Sequence, residues 1–200
     1  MRFTQYFFAP VWLTIAACLA LSDRANDVLD NISTVSKTLQ QNENAISNYN
    51  GGIVAAIPLA QGVYDTWESL RVANANLDDT KFTSEDSDAI VQDFTFANEI
   101  AIRLFRIYQE KEPILNQAGV GFVAPILMQA LYREADDYAI SLKHQMPSEY
   151  AAPIDQISAN HTEAWEAAFA VYDPARNPAL SQQPYKKFYS AMMPVFGMLI

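Results

Sequence analysis

Residues 23–49, DRANDVLDNISTVSKTLQQNENAISNY, give the clearest indication of the fold class of this chain. Its apolar residues recur at intervals of three, four or seven, the period of one face of an α-helix: Val28, Ile32, Val35, Leu39, Ile46 and Tyr49. The opposite face is polar, and the glycine pair of Asn50-Gly51-Gly52 follows as a stop signal. The stretch therefore predicts a long amphipathic helix that buries one face.

Four further segments show the same period, at about residues 53–77, 84–112, 122–145 and 148–172. Ser84 is predicted to cap the third helix, because serine followed by acids suits a helix N-terminus. Pro113 is predicted to interrupt that helix. No stretch alternates apolar and polar residues as a half-buried strand does, and the connections are short. The pattern predicts an all-α, antiparallel bundle of about five long helices.

Residues 1–22 have the layout of a secretory signal peptide. Arg2 supplies the basic start, an apolar middle follows, and small residues precede two candidate cleavage positions, after Ala20 and after Ser22. The apolar run is shorter than the ~20 residues of a membrane-spanning helix and contains Pro10. We therefore expect a secreted protein without a transmembrane span.

Residues 23–173 are predicted to form one helical bundle domain, and residues 174–200 an apolar C-terminal tail. The tail lacks the polar spacer that a lipid-anchor signal needs before its apolar run. Left in water, its many large apolar side chains would form an aggregation-prone patch. We therefore predict that the tail packs back onto the bundle.

The composition excludes several classes of protein. The chain has 200 residues, with 13 basic and 23 acidic side chains and a net charge of -10. A strongly acidic chain is a poor nucleic-acid binder, because phosphate repulsion is not offset. Cys18 is the only cysteine, which excludes a disulfide scaffold and a cysteine-based zinc site.

The motifs of common enzymes are absent from the sequence. It contains no Glu-x-x-His or His-Glu-x-x-His metal motif, no Gly-x-Ser-x-Gly elbow and no phosphate-binding glycine loop. Its two histidines, His144 and His161, have no partner at metal-ligand spacing, and His161 is predicted to be a partly buried structural residue. The sequence therefore predicts a protein that is not an enzyme, with no metal site and no cofactor. Two glycosylation sequons begin at Asn31 and Asn160.

Several stretches of the chain resemble one known family. They are VLDNISTVS at residues 28–36, YNGG at 49–52, FTSEDSD at 82–88 and KEPILNQAG at 111–119, followed by Pro147 and the apolar stripe of the fifth helix. Over residues 27–172, their order and spacing resemble the fungal hydrophobic surface-binding protein A family, which includes the antigenic cell-wall galactomannoproteins. The resemblance implies a secreted, extracellular helical bundle with a central apolar cavity, associated with the cell wall.

The same resemblance implies two kinds of partner. Some members of that family bind long-chain fatty acids, and the founding type adsorbs to hydrophobic solid surfaces and recruits a hydrolase there. Ten residues on the predicted inward faces are candidates for lining an apolar cavity: Ile57, Tyr64, Trp67, Phe94, Ala101, Phe105, Ile126, Leu131, Trp165 and Phe169. The polar end of a ligand would then lie at the mouth, near a Gln, Ser or Tyr side chain or a base such as Arg71 or Arg103.

Two functions are consistent with these patterns. The first is a secreted, non-enzymatic protein that binds a fatty acid or another apolar small molecule between its helices. The alternative is a surface-active interaction protein that adsorbs to a hydrophobic surface and recruits a partner. A cavity favours the first function, and a large exposed apolar patch favours the second. The sequence does not indicate an oligomeric state.

Overall fold

The computed structural model describes residues 21–172. It contains five α-helices: α1 Asp23–Ser47, α2 Ile57–Ala75, α3 Ser84–Gln117, α4 Val123–Gln145 and α5 Ala151–Ala170. The 3₁₀ turns Val54–Ala56 and Ser148–Tyr150 lead into α2 and α5. No strand occurs within residues 21–172, so the predicted all-α bundle of five helices is confirmed.

Three helices, α1, α3 and α5, run parallel in one layer, with α3 in the middle. Hydrogen bonds within this layer connect the N-terminal ends of neighbouring helices to each other, and their later turns to each other. Between α1 and α3 they join Ser22 to Asp86 and Lys111 to Ser47. Between α3 and α5 they join Tyr150 to Ser84 and Tyr172 to Tyr108. The amphipathic face predicted for α1 is buried in full.

The other two helices, α2 and α4, run in the opposite direction. Asn76, just beyond α2, donates to Asn31 in the first half of α1, and Lys143 near the end of α4 pairs with Asp155 near the start of α5 at 2.5 Å. Consecutive helices are therefore antiparallel, as predicted. The extensive contacts follow a ring, α1–α2–α4–α5–α3, so α3 faces α2 and α4 across the centre of the bundle.

The third helix differs from the prediction at both ends. Thr83, not Ser84, is its N-cap: the Thr83 hydroxyl accepts from the Asp86 backbone N–H at 3.1 Å, and the Asp86 carboxylate accepts from the Thr83 N–H. This arrangement is a capping box. The prediction that Pro113 interrupts the helix is also wrong, because α3 continues to Gln117. One missing N–H donor is tolerated there because the turn beyond it buries Leu115.

The end of the bundle where α1 and α3 begin is closed by polar contacts. Ser22 caps α1, and its backbone N–H and hydroxyl donate to the Asp86 carboxylate at 2.9 and 3.0 Å. The Arg24 guanidinium lies 4.1 Å from the centroid of the Phe82 ring and donates to Gln145 Oε1 at 2.5 Å. These contacts connect α1, the start of α3 and the end of α4.

The predicted signal peptide, apart from its last two residues, and the predicted tail at residues 174–200 lie outside the described residues, so both stay predictions. Ser22 nevertheless belongs to the fold, since it caps α1 and binds Asp86. Of the two predicted cleavage positions, only the one after Ala20 leaves this cap in place.

Replacing Asp86 with Asn should weaken the acid sensitivity of folding. Burial alone raises the pKa of the Asp86 carboxyl, but hydrogen bonds from Ser22 and Thr83 outweigh it, and the net pKa is lowered. A lowered folded-state pKa gives stability that is present above the unfolded value of about 3.9 and is lost as the pH falls through the folded value. We expect Asp86→Asn to reduce the free energy of unfolding by about 1 kcal/mol at pH 7, as loss of a helix cap does, and by less at pH 3.

Chemical denaturation at the two pH values measures this difference. Asp93→Asn, at an exposed position on the same helix, is the matched control. The assignment is wrong if Asp86→Asn and the native protein lose equal stability between pH 7 and pH 3.

Candidate ligand-binding site

A central cavity of about 50 Å³ lies between the two layers of the bundle. Alanines one helical turn apart on two facing helices leave this space: Ala97 and Ala101 on α3, and Ala135 and Ala139 on α4. All five helices contribute to the lining: Val35, Leu39, Leu70, Phe94, Ala97, Asn98, Ala101, Leu104, Phe105, Leu131, Ala135, Asp136, Ala139, Ile157, Ser158, His161 and Thr162.

A second, larger cavity of about 210 Å³ lies towards the end of the bundle opposite the polar closure. We call it the end cavity. Its lining residues all have apolar side chains except Tyr108, whose hydroxyl donates to Asn42 Oδ1 at 3.1 Å. They come from the start of α2 and the turn before it, the end of α3, the loop that follows α3 and the start of α4: Ile53, Ala56, Ile57, Leu59, Ala60, Tyr108, Leu115, Val120, Val123, Ala124 and Leu127. Large apolar side chains are exposed at this end, with Ile53 57% and Ile57 63% exposed.

The two cavities follow one another along the same helices. On α3, the lining of the central cavity extends to Phe105, and the lining of the end cavity begins at Tyr108. On α4, Leu131 lines the central cavity, and Leu127, one turn away, lines the end cavity. From Phe94 to Leu115, α3 rises by about 32 Å at 1.5 Å per residue. The apolar lining is therefore long and narrow, which suits an extended acyl chain better than a compact ligand.

Asn98 and His161 form a polar pair in the central cavity. His161 Nδ1 lies 2.8 Å from Asn98 Oδ1, and Asn98 Nδ2 donates to the Ile157 carbonyl at 3.4 Å. Burial lowers the pKa of His161 to about 4, so the ring is neutral at pH 7. The Phe105 ring meets it edge-on, with the centroids 5.2 Å apart. The pair is held in place and uncharged.

A row of stacked aromatic rings lies beside this pair. Tyr132 on α4 stacks on His161 with centroids 5.8 Å apart and on Trp165 at 4.4 Å. Trp165 stacks in turn on Phe169 at 5.0 Å. The row fills the contact between α4 and α5, and it fixes the orientation of both His161 and Trp165.

Neither cavity is lined by a lysine or an arginine. The polar end of a ligand was predicted to lie near a base such as Arg71 or Arg103. Arg71 instead forms an ion pair with Glu68 at 2.7 Å, and Arg103 forms one with Glu43 at 3.2 Å. The contact with Glu68 also lowers the pKa of that carboxyl through a hydrogen bond. The lining of the central cavity contains one acidic side chain, that of Asp136.

The ten predicted lining residues fall into three groups. Phe94, Ala101, Phe105 and Leu131 line the central cavity, and Ile57 lines the end cavity. The other five are not among the lining residues of either cavity: Tyr64, Trp67, Ile126, Trp165 and Phe169. Trp67 and Trp165 are partly buried against the core, whereas Tyr64 and Ile126 are 37% and 42% exposed. Direct contact of these ten residues with a ligand stays a prediction.

The prediction did not include the alanines of α4 or the Asn98–His161 pair. Alanines spaced four residues apart on two helices are a sequence signal for close approach or for a gap, although they do not say which. The Asn98–His161 contact joins residues 63 positions apart. No local pattern could have found it.

Three further features bear on the predictions. Of the two asparagines that begin glycosylation sequons, Asn160 is exposed on α5 and Asn31 is partly exposed on α1. Glycosylation at both positions stays a prediction. Between residues 21 and 172, no group of His, Cys, Asp and Glu side chains is arranged to hold a metal ion. None of the helices in that part of the chain has the length and apolar character needed to cross a membrane.

The fold and the site define a five-helix bundle that encloses apolar space. No protein-family model matches the sequence, and no curated protein matches it. Solved structures share the fold. The crystal structure of AfMP4p in complex with palmitic acid aligns with a TM-score of 0.72 and 17% identity over 74% of this chain and 99% of that one.

Two ligand-binding domains of the MP1 protein of Penicillium marneffei are also similar in structure. Domain 1, complexed with arachidonic acids, aligns with a TM-score of 0.68 and 19% identity, covering 76% of this chain and 97% of that domain. Domain 2, complexed with multiple arachidonic acids, aligns with a TM-score of 0.71 and 15% identity, covering 78% of this chain and 98% of that domain. At these identities the likeness establishes the fold.

Proposed function

We propose that this protein is a secreted, non-enzymatic binding protein for a single-chain apolar ligand of the long-chain fatty acid class. The observation that carries the proposal is the apolar lining along α3, formed by the central and end cavities. Proteins of the same fold have been solved with palmitic and arachidonic acids, which supports this class of ligand. Secretion and cell-wall association rest on the sequence pattern and the family resemblance.

Burial of the chain alone provides enough free energy for such a ligand. About 16 methylenes at ~0.8 kcal/mol each contribute roughly 13 kcal/mol before ordering costs are subtracted. At about 50 Å³ the central cavity must widen to admit an acyl chain.

A second candidate function is supported by the exposed apolar residues beside the end cavity. Ile53, Val54 and Ile57 are 57%, 80% and 63% exposed and adjoin one another at the start of α2. An apolar patch of this kind is suited to adsorption onto a hydrophobic surface. Replacing Val54 with Asp should weaken adsorption to hydrophobic beads and leave ligand binding intact if the two functions are separate, because Val54 lines neither cavity.

Native mass spectrometry of the full chain, purified from the medium of cells that secrete it, tests the binding proposal. We expect an added mass that corresponds to one or more single-chain lipids. After delipidation, titration with palmitic acid should change the tryptophan emission, because Trp165 stacks on Tyr132 beside the central cavity. A protein without added mass, and with unchanged emission throughout the titration, would contradict the proposal.

A further inference from the structure

The end cavity adjoins apolar side chains that residues 21–172 leave largely exposed. Ile53 and Ile57 line the cavity from the start of α2, and Val54 lies between them in the sequence. All three side chains are more than half exposed. We call the end cavity together with these three residues the apolar opening. Apolar surface of this kind marks a place where another apolar group binds.

The chain leaves the described part of the bundle beside this opening. Tyr172, the last described residue, is buried, and its hydroxyl donates to the Tyr108 carbonyl at 2.6 Å. Tyr108 lines the end cavity. Burial raises the pKa of Tyr172, and the nearby Tyr108 and Glu112 raise it further, which places the last turn of α3 against the same ring. The chain therefore continues into residues 173–200 from a point beside a wall of the end cavity.

The predicted tail contains the apolar groups that match this opening. Residues 188–200, FYSAMMPVFGMLI, consist mainly of large apolar and aromatic side chains and contain no charged one. Methionine side chains adapt to irregular apolar spaces. Pro194 and Gly197 are unfavourable inside a helix, so the sequence favours an extended segment that follows a groove.

The part of the tail before this segment is long enough to cross the end of the bundle. Residues 173–187 span at most about 50 Å when they are extended. Three helices side by side, as in the layer of α1, α3 and α5, are about 30 Å wide. The apolar segment therefore reaches the start of α2 from Tyr172 by a loose connection.

The charges of the tail also favour its return to the bundle. Arg176, Lys186 and Lys187 are the charged side chains of residues 174–200, and all three are basic. The chain as a whole has a net charge of -10, so the acidic side chains belong to the rest of the protein. A basic tail is attracted to an acidic bundle.

We propose that residues 188–200 dock on the apolar opening of the same molecule, where they cover Ile53, Val54 and Ile57 and insert apolar side chains into the end cavity. A tethered segment has a high effective concentration at a site that its linker spans. The docked tail occupies space that the acyl chain of a ligand needs, so it competes with the ligand. Docking itself needs no ligand, whereas the competition rests on the proposed function.

A fluorescent label at position 54 tests the docking without a ligand. Val54→Cys in a Cys18→Ser background leaves one thiol for a solvent-sensitive fluorophore, and Val54 lines neither cavity. Quenching by acrylamide, which is uncharged, is compared between the delipidated full chain and the same chain with Met193→Asp and Phe196→Asp. We expect the quenching constant to be at least threefold lower, and the emission to be blue-shifted, when the tail is native.

Two controls accompany this measurement. Ser181→Asp with Gln182→Asp adds the same two charges to the polar part of the tail and should leave the label protected. A label introduced by Asp27→Cys, at an exposed position near the closed end of the bundle, should be quenched equally in every protein. Protection at position 54 should persist on dilution, because the tail is tethered. Protection that disappears on dilution would mean that a second copy covers the opening, and it would overturn the proposal.

Titration with palmitic acid tests the competition. A ligand that binds only molecules with a displaced tail has its apparent affinity reduced by the fraction of such molecules. We therefore expect Met193→Asp with Phe196→Asp to lower the Kd for palmitic acid at least threefold, and Ser181→Asp with Gln182→Asp to leave it unchanged. A threefold effect corresponds to a tail that is docked in about two thirds of the molecules.

The outcomes separate this inference from the proposed function. Equal quenching at position 54 with the native and the Met193→Asp/Phe196→Asp tail would overturn the docking and leave the binding function standing. A purified protein whose intact mass lacks residues 185–200 would overturn it as well. A protected label with an unchanged Kd would support the docking and overturn the competition. If palmitic acid binds to none of the proteins, the proposed function and the competition fail, and the quenching result still decides the docking.

Discussion

Substitution of Ala101 with Phe should weaken binding of long-chain ligands at least tenfold while the bundle stays folded. Ala101 is 7% exposed and faces the central cavity from α3. A benzyl side chain there would occupy the narrowest part of the apolar lining. Overpacking a core in this way costs about 1–3 kcal/mol, less than the total stability of a typical domain. We expect the Kd for palmitic acid to rise at least tenfold.

Ala167→Phe is the matched control for this substitution. It adds the same side chain at an exposed position on α5 and should leave the Kd unchanged. Circular dichroism of both variants checks that the helices persist. If Ala101→Phe binds palmitic acid as tightly as the native protein does, the ligand does not occupy the central cavity.

Substitution of Phe105 with Ala should produce the largest loss of stability of any change considered for this chain. Phe105 is 2% exposed, packs edge-on against His161 and lines the central cavity from the middle helix of the larger layer. Truncating a buried phenylalanine removes its transfer free energy and enlarges a cavity, with a combined cost of about 3–5 kcal/mol. We expect a decrease of this size in the free energy of unfolding, measured by urea denaturation.

Phe96 on the same helix provides the comparison. It is 51% exposed, and Phe96→Ala should change the free energy of unfolding by at most about 0.5 kcal/mol. Equal effects at the two positions would mean that α3 does not present Phe105 to the core. Addition of a long-chain ligand should recover part of the stability lost in Phe105→Ala, because a ligand that binds only the folded state stabilises it.

The two ends of the bundle differ in a way that bears on both experiments. One end is closed by the hydrogen bonds of Ser22 with Asp86 and of Arg24 with Gln145. The other end carries the end cavity and the exposed side chains of Ile53 and Ile57. The end cavity therefore lies at the end of the bundle opposite these polar contacts. We expect hydrogen exchange to be slower at the closed end and to slow further at the start of α2 when a ligand binds.

Helical periodicity was enough to predict the elements of this fold. The six apolar positions predicted to face inward between Val28 and Tyr49 are all buried, because an amphipathic helix in water has one way to remove its apolar face from solvent. Two local features were not predicted from the same pattern. Thr83 replaces Ser84 as the cap, since the choice depends on which side chain reaches Asp86, and α3 passes through Pro113 because Leu115 packs on the core beyond it.

Local patterns along the chain were enough to predict the fold class, the number of helices, their alternating directions and the apolar character of the interior. These properties depend on neighbours a few residues apart, and local spacing records them directly. The tertiary structure alone decided the ring order of the helices, the position of the two cavities and the pairing of Asn98 with His161. A cavity is the space left after side chains from all five helices have packed. Its shape therefore depends on residues that are distant in sequence and become neighbours only when the bundle closes.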